Sequence, residues 1–64
     1  MPARWTGEVL AIMHIEKITS KRLAEHIGYS KEYVSMILNG KRMPREAESI
    51  FRKALDEIIQ QKGA

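Results

Sequence analysis

Residues 23–42 read LAEHIGYSKEYVSMILNGKR and contain two short helical patterns that a single glycine separates. Apolar residues recur at helical spacing on either side of Gly28, which tolerates the positive φ at which helices commonly end. Only Ala24 and Gly28 are small enough to let two helices meet closely across a turn of about three or four residues. The sequence therefore predicts two short helices set at a sharp angle.

Hydroxyl side chains stand where each of these helices would begin. Thr19 is the N-cap candidate of the first helix, which is predicted to end at Gly28. Ser30 is the N-cap candidate of the second, because its hydroxyl can accept from the amide of Glu32 or Tyr33. The second helix is predicted to reach Asn39-Gly40 and to carry an apolar stripe of Tyr33, Val34, Ile37 and Leu38.

Two further helices are predicted to flank this pair. Residues 5–16 are predicted to form the first helix, because Trp5, Val9, Ile12, Met13 and Glu16 recur at steps of three and four. Trp5 is large enough to fill the core between the first and last helices. Pro44 fits the first turn of the last helix, where a missing amide hydrogen has no cost. That helix is predicted to be the longest and to fray beyond Gln60, and its stripe is Ala47, Ile50, Phe51, Ala54, Leu55, Ile58 and Ile59. No stretch alternates for long enough to be a strand, so an all-α fold of four helices is predicted.

The length of the chain limits its organisation. A chain of 64 residues buries only about 60% of the surface that its unfolded form exposes, which suits one domain. We expect residues 1–64 to form that domain, and its small core leaves little room for the concave active site of an enzyme. The sequence has no cysteine, no apolar run long enough to span a bilayer and no visible secretory signal, so a cytoplasmic address is expected.

Positive charge is concentrated in the middle of the chain. Residues 17–42 hold six cations against Glu25 and Glu32, six minus two, a local charge of +4, whereas the whole chain carries +3. A concentrated positive face suggests a polyanionic partner, although such faces also occur on proteins that bind nothing acidic. The charge pattern alone leaves both interpretations open.

A set of spaced residues between Ile18 and Arg42 matches a known motif. The set is Leu23-Ala24-Glu25, Ile27-Gly28, Ser30, Val34-Ser35 and Asn39-Gly40-Lys41. Together these residues resemble the helix-turn-helix of the lambda-repressor-like family, also called the XRE or Cro-type family. The resemblance implies a compact four-helix DNA-binding domain whose motif covers about residues 19–39. The chain departs from the family where relatives often pair an Arg with a Glu, because it has Met13 and Leu38 there, and in having one long last helix.

By this resemblance, the helix at about residues 31–38 is the recognition helix, which lies in the major groove of B-DNA. Its outward side chains differ in chemistry, since Lys31 can donate to guanine and Glu32 can accept from cytosine N4. Ser35 can pair with several base edges, and Met36 can contact a thymine methyl group. The resemblance therefore implies that these four residues read the DNA sequence.

The resemblance also places contacts to the DNA backbone on both sides of the recognition helix. Hydroxyls, cations and free amides at the start of the preceding helix suit phosphate oxygens, as do polar residues beyond the recognition helix. A capping hydroxyl or a phenol within the recognition helix can reach one strand as well. The full set is Thr19, Ser20, Lys21, Arg22, Ser30, Tyr33, Asn39, Lys41 and Arg42.

These features predict a sequence-specific transcriptional regulator, a repressor whose partner is double-stranded DNA. The last helix outruns the others, so a homodimer is expected through Leu55, Ile58 and Ile59. The alternative is an antitoxin-like or adaptor module that uses the helix at 45–61 to bind another protein. The mixed polar face of the recognition helix, with cations on both flanks, favours DNA.

The two histidines do not indicate a metal site. His14 and His26 lie twelve residues apart without a carboxylate or cysteine at ligand spacing, so we expect surface or partly packed side chains. Nothing brings Asp56 near either histidine by local spacing. No cofactor, metal, small-molecule ligand or enzymatic activity is therefore expected.

Overall fold

The computed structural model describes residues 3–63, and these residues form four helices without a strand. The all-α prediction is confirmed. The helices are α1 (Arg4–Glu16), α2 (Ser20–Ile27), α3 (Lys31–Leu38) and α4 (Ala47–Gly63). α2 packs against α3 and α4, and α1 packs against α4 and α3, so every helix contributes to a shared core.

The predicted caps of α2 and α3 are both present. The Thr19 hydroxyl accepts from the Arg22 amide at 3.0 Å, and the Ser30 hydroxyl accepts from the Tyr33 amide at 3.0 Å. Each bond satisfies one of the amides that a helix leaves without a partner at its N-terminus. Local sequence therefore fixes where both helices of the motif begin.

Gly28 ends α2 in the left-handed conformation, with a φ of 94°. The amides of Gly28 and Tyr29 both donate to the carbonyl of Ala24, at 2.8 and 3.0 Å. Residues 28–30 then form the turn that leads into α3. Ala24 is 2% exposed, so its small side chain lies in the core beneath this turn, as the sequence predicts.

Two glycine substitutions are expected to change stability in opposite directions. Gly28→Ala should lower the free energy of unfolding by about 1 to 2 kcal/mol. The φ of 94° at Gly28 disfavours a Cβ atom, although that atom would have no residue beyond its chain neighbours within 4 Å. Gly7 lies inside α1, where an added Cβ atom would meet open space, so Gly7→Ala should raise the free energy of unfolding by about 0.5 to 1 kcal/mol. Urea unfolding of both variants measures the pair, and a stabilised Gly28→Ala would contradict the strain argument.

The core is centred on Phe51 of α4, which has no exposed surface. Trp5 of α1 meets its ring edge to face, with ring centroids 5.6 Å apart, so Trp5 fills the space between the first and last helices as predicted. Met13 and Leu38 are each 5% exposed within the same cluster, where apolar packing stands in place of an ion pair. The buried apolar residues are Val9, Met13, Ile18, Leu23, Ala24, Val34, Ile37, Leu38, Ala47, Phe51, Ala54, Leu55 and Ile58.

The predicted limits of the last helix are wrong at both ends. Pro44 lies in a separate turn, where its carbonyl accepts from the Ala47 amide at 3.1 Å, and the helical ladder begins only with the Ile50 amide on the Glu46 carbonyl. At the other end α4 continues to Gly63 instead of fraying at Gln60. The extra turn is held by tertiary contacts to α1 and α2 that are not visible in the local sequence.

The predicted dimer interface is also corrected. Leu55 and Ile58 are each 2% exposed, because the shorter helices α1 and α2 pack along α4 and cover these side chains within one chain. Ile59 is half-buried and lines a groove between α1 and α4. Two of the three expected interface residues are therefore core residues of the single chain.

Candidate nucleic-acid interface

α3 has one buried face and one solvent face. Val34 and Ile37 have no exposed surface, whereas Lys31, Glu32 and Ser35 are exposed and Met36 is half-buried. All four predicted base-reading residues thus lie outside the core on one short helix. A helix that enters the major groove presents its outward side chains in the same way.

The polar side chains of this solvent face differ in the contacts that they already make within the protein. Glu32 lies in the first turn of α3, where a negative charge also stabilises the positive end of the helix. The Ser35 hydroxyl accepts from the Asn39 side-chain amide at 3.2 Å and keeps its own hydrogen free to donate. Lys31 forms no ion pair with any residue that the structure describes, so its ammonium group is available to a ligand.

The residues that follow α3 are held by hydrogen bonds to carbonyl groups in the last turn of that helix. The Asn39 side chain donates to the Ser35 carbonyl at 2.8 Å, and Gly40 follows with a φ of 78°. The amides of Lys41 and Arg42 then both donate to the Met36 carbonyl, at 2.8 and 3.3 Å. The backbone therefore places two exposed cations at the C-terminal end of α3. The Asn39 side chain caps that helix, in addition to its predicted contact with the DNA backbone.

The second predicted group of phosphate ligands lies at the N-terminus of α2. Thr19, Lys21 and Arg22 are exposed and Ser20 is half-buried, beside first-turn amides that have no partner within the helix. The Arg22 guanidinium turns toward α4, where it donates to the side-chain oxygen of Gln61 at 3.0 Å. This end of α2 combines cations, hydroxyls and amides, which is the chemistry that phosphate oxygens bind.

Ser30 and Tyr33 make contacts within the protein as well as lying near the predicted DNA face. The Ser30 hydroxyl already accepts the Tyr33 amide, but it is exposed and retains a hydrogen to donate. Tyr33 is half-buried, and its ring meets Tyr29 edge to face with centroids 5.0 Å apart. Both residues therefore have structural roles in addition to the predicted contact with a DNA strand.

A family model described as helix-turn-helix matches residues 16–50, which is 35 of the 64 residues. The protein belongs to the lambda-repressor-like helix-turn-helix family. The matched segment runs from the last residue of α1 through α2 and α3 into the first turn of α4, so this DNA-binding family accounts for the predicted motif. No curated protein and no solved structure matched the chain significantly.

Two contacts between α2 and α4 were not predicted from the sequence. His26 Nε2 lies 2.7 Å from Glu57 Oε1, and Arg22, one turn earlier in α2, donates to Gln61, one turn later in α4. These partners are separated by 31 and 39 residues, so no local spacing indicates them. The contacts fasten the motif to the last helix, and His26 is the partly packed histidine that the sequence allows.

The His26–Glu57 contact is expected to make stability depend on pH. The hydrogen bond from His26 lowers the pKa of the Glu57 carboxyl below its ordinary value of 4.5, against an opposing effect of burial. A depressed folded-state pKa adds stability above pH 4.5 that is lost as the pH falls through the lower value. Glu57→Gln should therefore flatten the fall in unfolding free energy below pH 4.5 relative to the wild type. Identical acid profiles for wild type and Glu57→Gln would contradict this assignment.

Within residues 3–63, no group of three or more His, Cys, Asp or Glu side chains is arranged to hold a metal ion. None of the helices in that range is long and apolar enough to cross a membrane.

Proposed function

We propose that the protein is a sequence-specific repressor of transcription that inserts α3 into the major groove of duplex DNA. The observation that carries this proposal is the division of α3 into two faces. Val34 and Ile37 anchor the helix fully in the core, while Lys31 and Ser35 remain exposed on the other side. A helix fixed in this way presents its outward side chains already ordered, which reduces the entropy lost on binding.

The proposed contacts follow from this placement. Lys31, Glu32, Ser35 and Met36 would meet base edges, while phosphates would be bound by Thr19, Ser20, Lys21, Arg22, Ser30, Tyr33, Asn39, Lys41 and Arg42. The protein would act in the cytoplasm on the DNA held there, as one helix-turn-helix domain and without catalysis. Repression would follow from occupancy alone, because a bound domain physically covers the promoter.

We further propose that the protein binds as a homodimer, with a second copy as the partner of the groove between α1 and α4. Ile12, Ile59, Arg52 and Asp56 line this groove. A twofold interface brings the same surface together from each copy, so a patch that carries apolar groups and both charges can satisfy itself. Binding as a symmetric pair would also double the length of DNA that is read.

Selection of bound duplexes from a randomised DNA pool tests the function and the assembly together. An enriched inverted repeat with half-site centres about 34 Å apart is the expected result, because a symmetric dimer reads two half-sites one helical turn apart. A single enriched half-site would overturn the dimer and leave the sequence-specific reader. Failure to enrich any sequence with folded protein would overturn the regulator itself.

The alternative protein-interaction module is less well supported by the structure. It depended on an exposed apolar stripe on the last helix, and Leu55, Ile58 and Phe51 of that stripe are buried in the chain's own core. A protein partner would have to use the smaller groove at Ile59 or the polar flanks of α4. The exposed polar and basic side chains of α3 and its flanks therefore favour DNA as the partner.

Met36→Ala is expected to weaken recognition at one position of the selected site. Met36 is half-buried on the DNA-facing side of α3, where its thioether can pack on a thymine methyl group. The loss should be about 1 to 3 kcal/mol against the preferred base and should leave other positions unchanged. Competition binding with single-base variants measures it, and Leu10→Ala, an exposed apolar residue on α1, is the control. Uniform loss at every position would show that α3 is placed wrongly.

A further inference from the structure

A positively charged cleft lies between the α1–α2 junction and the last turns of α4. It has a volume of about 480 Å³, and its lining contains three cations and no carboxylate. Ile18 and Ile58 form the apolar part of the lining and are 7% and 2% exposed, so they belong to the core beneath the cleft. The complete lining is Lys17, Ile18, Thr19, Arg22, Ile58, Gln61 and Lys62.

The cations of this cleft are only partly neutralised. Arg22 donates to Gln61, which is uncharged, so the hydrogen bond orients the guanidinium without removing its charge. Lys62 donates to the Glu16 backbone carbonyl and lies 3.8 Å from the Glu16 carboxylate, a contact at the surface that is weak in water. Lys17 makes no ion pair with any residue in the described part of the chain. Three cations against one nearby carboxylate leave an excess of two positive charges.

The backbone of Lys17 gives an independent reason to assign its side chain a role. Its φ of 58° is the only positive φ of a non-glycine residue among residues 3–63. The Lys17 amide donates to the His14 carbonyl and the Ile18 amide donates to the Met13 carbonyl, which closes α1 in the arrangement where glycine is the preferred residue. The Lys17 side chain is exposed and adds nothing to the core, so packing does not explain a lysine at this strained position.

We propose that this cleft binds a phosphate of the DNA backbone, so that Lys17 and Lys62 extend the interface beyond the helix-turn-helix. The cleft shares Thr19 and Arg22 with the phosphate-binding end of α2, which makes it continuous with the proposed DNA face. Lys62 lies outside the segment that the family model matches, so α4 would contribute directly to DNA binding. The inference rests on the proposed function and adds these two ligands to it.

The lining favours a phosphodiester of duplex DNA over a free nucleotide. No aromatic ring lines the cleft, so a base has nothing to stack on, and the apolar lining consists of two isoleucines. Lysine and arginine donors can bind an extended row of phosphates without recognising a base. The cleft therefore suits the backbone that flanks the sequence read by α3.

The test compares Lys17→Gly, Lys62→Gln and the double variant by fluorescence anisotropy on a duplex of about two helical turns, over a range of salt concentrations. Each single variant should reduce the salt slope by about 0.9 and weaken binding about fivefold at about 0.15 M salt, and the double variant should lose about thirtyfold. Lys53→Gln is the matched control, because Lys53 lines a groove beside His26, about nine residues and roughly 14 Å away from Lys62 along α4. Its slope should stay at the wild-type value.

Lys17→Gly also separates binding from folding. Glycine relieves the positive φ, so this variant should melt no lower than the wild type while it binds DNA more weakly. Unchanged slopes in all three variants, with a wild type that binds duplex, would overturn the cleft and leave the proposed function standing. A wild type that binds no duplex would remove both. If inorganic phosphate raised the melting temperature of the wild type but not of the double variant, while the duplex slopes stayed equal, the cleft would be a free-anion site and the DNA assignment would fall.

Discussion

Replacing Phe51 with alanine is expected to unfold a large fraction of the protein at 25 °C. Phe51 has no exposed surface, and truncating a buried phenylalanine costs about 3 to 5 kcal/mol. The total stability of a 64-residue chain is about 3 to 10 kcal/mol, so the loss is comparable with the whole. Trp5 would also lose the ring that it meets edge to face at 5.6 Å.

Thermal unfolding followed by circular dichroism and by Trp5 fluorescence measures this effect. The melting temperature should fall by about 20 to 30 °C, because a chain of this size loses about 4 to 8 °C for each kcal/mol. Phe51→Leu fills most of the cavity and should lose less, and Leu10→Ala, on the exposed side of α1, should lose little. A Phe51→Ala protein that melts within a few degrees of the wild type would show that the core is centred elsewhere.

Replacing Lys41 and Arg42 together with alanine is expected to weaken binding to every duplex by about thirtyfold at about 0.15 M salt. Both side chains are exposed, and their backbone amides donate to the Met36 carbonyl, so the backbone carries both cations at the end of α3. Loss of two phosphate contacts, at about 0.9 each, should reduce the salt slope by about 1.8 units, which gives this fold-change when the effect is referred to 1 M salt.

Binding to the selected site and to an unrelated duplex, each over a range of salt, measures the change. Equal losses on both duplexes are expected, because phosphate contacts position the protein without choosing a base. Lys53→Ala removes one charge from the groove between α2 and α4 and is the control for net charge. An unchanged slope in the double variant would exclude Lys41 and Arg42 from the interface, while a loss confined to the selected site would make them base readers.

Short-range interactions explain which features could be predicted. The Thr19 and Ser30 caps and the helix end at Gly28 involve atoms no more than five residues apart, so the residue types and their order determine them. The outward positions of α3 follow from the same logic, because helical periodicity separates Val34 and Ile37 from Lys31 and Ser35. The motif and the solvent face of its second helix can therefore be predicted from the sequence.

The last helix shows where this reasoning fails. Its apolar stripe is visible in the sequence, but a stripe does not say whether another helix of the same chain or a second molecule covers it. The structure places Leu55 and Ile58 in the core, which corrects the predicted interface. Pro44 was misplaced for a related reason, because its fixed φ suits a separate turn as well as a helix start.

The sequence by itself determined the four helices, the caps of α2 and α3 and the side chains that α3 presents to solvent, because these depend on local spacing and residue type. Only the tertiary structure decided which side chains α4 meets, His26 with Glu57 and Arg22 with Gln61, and that Lys17 and Lys62 line one cleft. Such pairs lie 31 or more residues apart in the chain, and their distances are set by how the helices pack. Packing depends on the shapes of all the helix faces together, which no single segment of sequence contains.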